Sequence, residues 1–193
     1  DLLEKLQKSG ITPLPPYIKS VDSETELRNK YQTVYAKNIG SVAAPTAGFH
    51  FTDELLEKIK DKGIQIEYVT LHVGLGTFMP VKTENLEDHT MHSEDFFVDQ
   101  KVITRINDAK KNGKRIVAVG STSTRVLESI ASGNTTNSTN IFIYPPYKFK
   151  FVDVMITNFH LPKSTLMAMV YAFGGTKLTK AAYKEAIKER YRF

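Results

Sequence analysis

The chain has 193 residues, 41% hydrophobic and 24% charged, which suffices for one compact domain with its own core. It contains no cysteine, which excludes a disulfide scaffold, a thiolate metal site and a cysteine nucleophile. The net charge of +5 favours polyanionic partners, yet the basic residues are dispersed among acids and no single stripe stands out.

In chain order, residues 1–9 read as a short helix ended by Gly10. Three prolines within 13–16 then forbid a helix and favour an extended, polyproline-like path. A short helix is expected over Asp22–Arg28, capped by Asp22 or Ser23. Residues 1–40 together form a lead-in arm. The small-residue stretch GSVAAPTAGFHF (40–51), punctuated by Pro45 and Gly48, reads as loop. Thr52 caps a helix over 53–62 with an apolar stripe at Leu55, Leu56 and Ile59, and Gly63 stops it. Alternation over Ile64–Val73 predicts a strand running into the loop Gly74-Leu75-Gly76-Thr77. A turn of helix and an extended DFFV follow. A second amphipathic helix spans 100–111, with Val102, Ile103, Ile106 and Ala109 on one face. A short buried strand is expected over 115–119, a turn over 120–124 and a helix over 125–131. GNTTNSTN (133–140) has no apolar anchor and is expected to be a flexible surface loop. Strands are expected over 141–144 and 152–157, with helices over 165–172 and 179–191. This alternation predicts a single α/β domain over 1–193, with a mixed, partly parallel sheet flanked by helices.

In such sheets, sites form beyond the carboxyl ends of strands. GSTSTRVLE (120–128) places hydroxyl residues and free backbone N–H groups at a helix start, which favours an anion. Arg125 offers a bidentate contact to it, and Glu128 a contact to a ribose hydroxyl. HVGLGTF (72–78) lets a ligand approach at Gly74 and Gly76, but it is no dinucleotide fingerprint, since the third glycine and the following helix are missing. The five histidines are His50, His72, His89, His92 and His160, and four of them fall in loops expected to gather at one edge. His89 and His92 have a metal-binding spacing, but no third ligand supports them, so no metal is expected. Acid or base work near neutral pH is the better functional use, although for any one histidine alone a structural hydrogen bond is commoner. In TNFHLPKSTL (157–166), Asn158 suits a base edge or a histidine tautomer, and Lys163 a phosphate.

Six blocks, AAPTAGFHF (43–51), HVGLGTFMPV (72–81), HTMHSE (89–94), GSTSTRVLE (120–128), FIYPPYKFK (142–150) and TNFHLPKSTL (157–166), occur in one order. With PLPPYI and YQTVYA before them, they resemble the signature blocks of the S-adenosylmethionine:tRNA ribosyltransferase-isomerase family from about Leu14 to Phe193. The resemblance implies transfer and isomerisation of the ribosyl part of S-adenosylmethionine onto 7-aminomethyl-7-deazaguanine at the tRNA wobble position. Epoxyqueuosine-tRNA is formed, and adenine and methionine are released. S-adenosylmethionine is then a consumed substrate, no cofactor is needed, and the partner is tRNA carrying the precursor base. His50, His72 and His160 become the first candidates for proton transfer, with His92 and Glu94 next. Thr46, Gly48, Gly74, Gly76, Thr77, Thr122, Ser123, Arg125, Glu128, Asn158 and Lys163 fall in the substrate-binding blocks. A monomeric cytoplasmic enzyme without a membrane partner is expected. The family also has an N-terminal part with a small β-barrel domain and continues beyond ERYRF. The chain is therefore expected to be a piece of the larger α/β domain, inactive or weak alone. An RNA-binding module and an S-adenosylmethionine-dependent tRNA methyltransferase are the competing readings. The first predicts stacked aromatics on an exposed sheet, and the second a glycine-rich turn with a following acid that the sequence does not supply.

Overall fold

The computed structural model describes residues 2–14, 18, 20–41, 43–74, 81, 83–134 and 136–192, without the side chains of Leu2, Leu3, Leu6 and Gln7. Helix α1 spans Leu2–Ser9 and α2 spans Glu24–Lys30. Ser23 starts α2 with a capping box: its hydroxyl accepts from the Glu26 N–H, and the Glu26 carboxylate accepts from the Ser23 N–H. Where 40–51 reads as loop, a 3-10 helix forms over Thr46–His50, and the Gly48 N–H reaches the Pro45 carbonyl at 2.7 Å. Helix α3 (Asp53–Asp61) starts at Thr52, whose side chain accepts from the Leu55 N–H. Of its stripe only Leu56 is buried, because Leu55 turns to solvent.

The strand expected over 64–73 shortens to β1 (Thr70–Leu71), since Ile64 and Tyr68 are exposed and only the last residues reach the core. A 3-10 turn at Leu86–Asp88 leads to β2 (Glu94–Phe97), which buries alternate side chains. Helix α4 (Gln100–Lys111) is capped by Asp99, and Gly113 follows it at φ +70. β3 (Val117–Val119) feeds α5 (Ser121–Ala131), so the hydroxyl residues 121–124 form the first helical turn rather than a loop. The stretch 133–140 carries β4 (Ser138–Thr139), with Thr139 buried. Residues 141–144 pair with no strand among the described residues, although Ile143 is buried. β5 (Val154–Ile156), α6 (Thr165–Gly174) and α7 (Thr176–Lys188) complete the chain.

The five strands among the described residues form two small sheets, and the expected mixture of parallel and antiparallel pairing is present. One is antiparallel in the order β1-β2-β4, and the other is the parallel pair β3-β5. Helix α5 lies between them and joins both cores. Val126 packs with Leu71 and Phe96 of the antiparallel sheet, while Leu127 packs with Ala118 and Val152 beside the parallel pair. Thr124 to Ser129 are all buried, polar residues included, and such residues need partners. Each has one. Thr124 bonds the Gly120 carbonyl, Arg125 pairs with Glu94 on β2, and Ser129 meets Thr139 on β4. The Glu128 carboxylate accepts from the backbone N–H groups of Lys150, Phe151 and Val152, each at 2.9 Å, and from the Tyr147 hydroxyl at 3.1 Å. Among the described residues no helix is long and apolar enough to cross a membrane.

Candidate active site

Both strands of the parallel pair deliver their carboxyl ends to one place. Gly120 follows β3 and Thr157 follows β5, and the Gly120 N–H bonds the Ile156 carbonyl at 2.8 Å. Gly120 starts α5 at φ +92, a conformation that glycine adopts without strain. The N-cap residue is glycine, so no N-cap side chain takes the N–H groups of the first turn. Thr122 and Ser123 stand there, half-buried.

The Thr46–His50 turn lies against this helix start: a Cβ built on Gly120 would stand 4.0 Å from that of Ala47. The turn is held from behind by Tyr35 and Thr33, which pack so closely on Gly48 that no side chain fits there. Thr46 and Gly48 therefore join Thr122 and Ser123, while His50 is exposed at the end of the turn. His72 follows β1 and its backbone N–H bonds the Asp95 carbonyl at 2.8 Å. Its ring lies against Gly40, and its buried Nδ1 has no hydrogen-bond partner among the described residues. Gly74 donates its N–H to Glu94 Oε1 at 3.1 Å, and Glu94 in turn pairs with Arg125. The loop after β1, the HTMHSE block and α5 are thereby tied together.

On the β5 side, His160 Nε2 and the Thr157 hydroxyl are 2.8 Å apart, and the His160 N–H donates to the Tyr183 hydroxyl of α7 at 3.0 Å. Burial lowers the His160 pKa to about 4, so the ring is neutral at physiological pH. Asn158 Oδ1 is buried and has no hydrogen-bond partner among the described residues. Lys163 adopts φ +59 with an exposed side chain, and its carbonyl accepts from the Val81 N–H, which joins the sixth block to the end of the second.

Three expected roles meet a different geometry. Arg125 is 3% exposed, so it does not face solvent as an anion clamp; its Nη1 pairs with Glu94, while its buried Nε and Nη2 have no hydrogen-bond partner among the described residues. Glu94, 3% exposed, pairs with Arg125 and accepts from the Gly74 N–H, so it is shut off from solvent. Glu128, with no exposed surface, spends its oxygens on residues 147–152 and offers none to a ribose. His92 is exposed, and His89 packs edge-on against Phe142 with ring centroids 5.1 Å apart. Among the described residues no three His, Asp or Glu gather as metal ligands. Gly76 and Thr77 lie outside the described residues. The sequence reading missed Thr157 and Tyr183, which hold His160; Thr157 was visible as a hydroxyl three residues before a loop histidine.

All 193 residues match the model of a protein family described as queuosine biosynthesis protein. The chain belongs to that family. It is 55% identical over 194 residues to the S-adenosylmethionine:tRNA ribosyltransferase-isomerase of Sulfurihydrogenibium sp., covering 100% of this chain and 57% of that relative. The protein of the same name from Halothermothrix orenii is also 55% identical, over 198 residues, with the same coverage. That of Treponema denticola is 52% identical over 98% of this chain and 56% of its own length. The chain thus spans little more than half of these curated relatives. The crystal structure of the S-adenosylmethionine tRNA ribosyltransferase from Thermotoga maritima superposes with a TM-score of 0.62 at 44% identity, over 76% of this chain and 48% of that one. Membership in the queuosine biosynthesis family agrees with the resemblance carried by the six blocks.

Proposed function

We propose that this chain is the part of a tRNA ribosyltransferase-isomerase that grips S-adenosylmethionine beside an RNA base. In the complete protein the ribosyl group moves to 7-aminomethyl-7-deazaguanine at the tRNA wobble position and is isomerised, giving epoxyqueuosine-tRNA with loss of adenine and methionine. S-adenosylmethionine serves as a consumed substrate with no cofactor, in a cytoplasmic monomer. One observation carries this reading. Blocks that set the sequence apart are tied to one another across the fold: Ala47 lies against Gly120 where β3 and β5 run out, Gly74 bonds Glu94, which pairs with Arg125, and Val81 bonds Lys163.

The reaction needs a base for a proton beside the sulfonium or on the aminomethyl group, and hydrogen bonding that lets adenine leave. His160, neutral and held by Thr157, is suited to accept a proton or a hydrogen bond; with a pKa of about 4 it carries no imidazolium proton to give at neutral pH. His72 and His50 are the remaining first candidates, and the half-buried His72 has an uncommitted ring nitrogen. Thr122 and Ser123, with the helix start behind them, hold an anion such as the methionine carboxylate. The test incubates the complete protein with precursor tRNA and S-adenosylmethionine labelled in the ribose or in the methyl group. Free adenine with ribose label in RNA is the expected result. Methyl label in RNA would make the protein a methyltransferase, and salt-sensitive tRNA binding without adenine release would make it a binding module.

A further inference from the structure

Positive charge is concentrated in the fold in a way the linear sequence hides. Residues 174–193 hold six basic side chains against Glu185 and Glu189, which accounts for four of the five net charges of the chain. Lys177, Lys180, Lys184 and Lys188 recur at steps of three and four, and on α7 that spacing places them on one helical face. The dispersed pattern read from the sequence therefore becomes a stripe. Lys188 is paired with Glu185 and Glu189, whereas Lys180 and Lys184 have no ion pair among the described residues.

These two lysines stand beside an open cleft of about 340 Å³ between α7, α6 and the loop after β5, lined also by His160, Tyr171, Tyr183 and Ile187. Tyr171 and Tyr183 are half-buried in its walls. Recessed aromatic rings beside unpaired cations are the combination that holds single-stranded nucleic acid: bases stack on the rings and phosphates meet the lysines. A basic helix also suits an anionic membrane, and Leu178 and Ile187 of α7 are exposed; the recessed rings of Tyr171 and Tyr183, on which a base can stack, favour the nucleic acid.

We infer that the α7 cleft receives a single-stranded loop of the RNA substrate, with Lys180 and Lys184 on its phosphates and a base against Tyr171 or Tyr183. This rests on the tRNA reading above and gives it a surface next to His160. The test measures the affinity of the complete protein for precursor tRNA across a salt series. Lys180→Ala with Lys184→Ala should weaken binding about tenfold near 0.1 M salt and flatten the log–log salt slope by about 1 to 1.5, since two single-strand phosphate contacts are lost. Tyr171→Leu should weaken binding about fivefold with the slope unchanged, because stacking releases no counterions. All three positions allow a thermal-melting control, and exposed Lys→Ala changes on a helix leave the fold intact. An unchanged slope and affinity in the double variant, with wild-type binding intact, would overturn the cleft alone. Failure of the wild-type protein to bind tRNA at all would remove the functional proposal and the cleft together. Lysine-dependent binding to phosphatidylglycerol vesicles with tRNA affinity unmoved would replace the RNA with a membrane.

Discussion

His160 and Glu128 show how much single side chains decide here. Burial holds the His160 pKa at about 4 against an ordinary 6.5, so as pH falls the unfolded chain takes up its proton before the folded one does. The stability linked to this residue is complete above about pH 6.5 and is lost between 6.5 and about 4, by roughly 3 kcal/mol at most. Denaturant midpoints measured across that window should fall more steeply for the wild-type protein than for His160→Gln; equal slopes would contradict the buried neutral ring. Glu128 sits beside Tyr147, whose pKa is pushed up to about 12 by burial and then by the neighbouring carboxylate charge. Glu128→Ala leaves three backbone N–H groups of residues 150–152 without their acceptor. A loss of about 3 kcal/mol or more is expected, read as a lower midpoint at constant denaturant slope. A stability loss under 1 kcal/mol would mean the loop is held by something else.

Among the elements, the Thr46–His50 turn is the one fixed by a single missing side chain. Gly48→Ala drives a methyl group into the Tyr35 hydroxyl and to 2.7 Å from the Thr33 methyl. We expect about 1–3 kcal/mol of destabilisation, measured by thermal melting, together with weaker S-adenosylmethionine binding as the turn leaves Gly120. Elements governed by their own residues were legible from sequence. Helix α4 spans 100–111 as its periodicity indicates, and Ser23 and Thr52 cap as their chemistry requires. Elements governed by distant partners were not. The hydroxyls of 121–124 favour turns locally, and only burial between two sheets draws them into α5. Thr139 becomes a strand residue because Glu94 and Ser129 are waiting for it across the fold, a fact absent from GNTTNSTN itself. Conversely, Ile141–Tyr144 has strand composition and finds no described strand to pair with. The candidate site divides in the same way. The blocks were visible in order, but the burial of Arg125, Glu94 and Glu128 depends on partners that no local pattern announces.

For the molecule as a whole, the chain covers 57% of two of its relatives, and the proposed reaction belongs to the complete protein. Assayed alone, the 193-residue chain should release adenine at least a hundredfold more slowly than the complete protein under identical conditions, a difference of about 2.7 kcal/mol in barrier. Equal turnover, followed by chromatography of free adenine, would show that the missing portion is dispensable. Within the chain, helix α5 is pinned at successive heights: by β2 at Arg125, by the 147–152 segment at Glu128 and by β4 at Ser129. A rod clamped in this way cannot recoil when something lands on its tip. Were the anion of the proposed function to settle at Thr122 and Ser123, it would meet a mould already cast, and a poorly shaped guest would be turned away instead of accommodated.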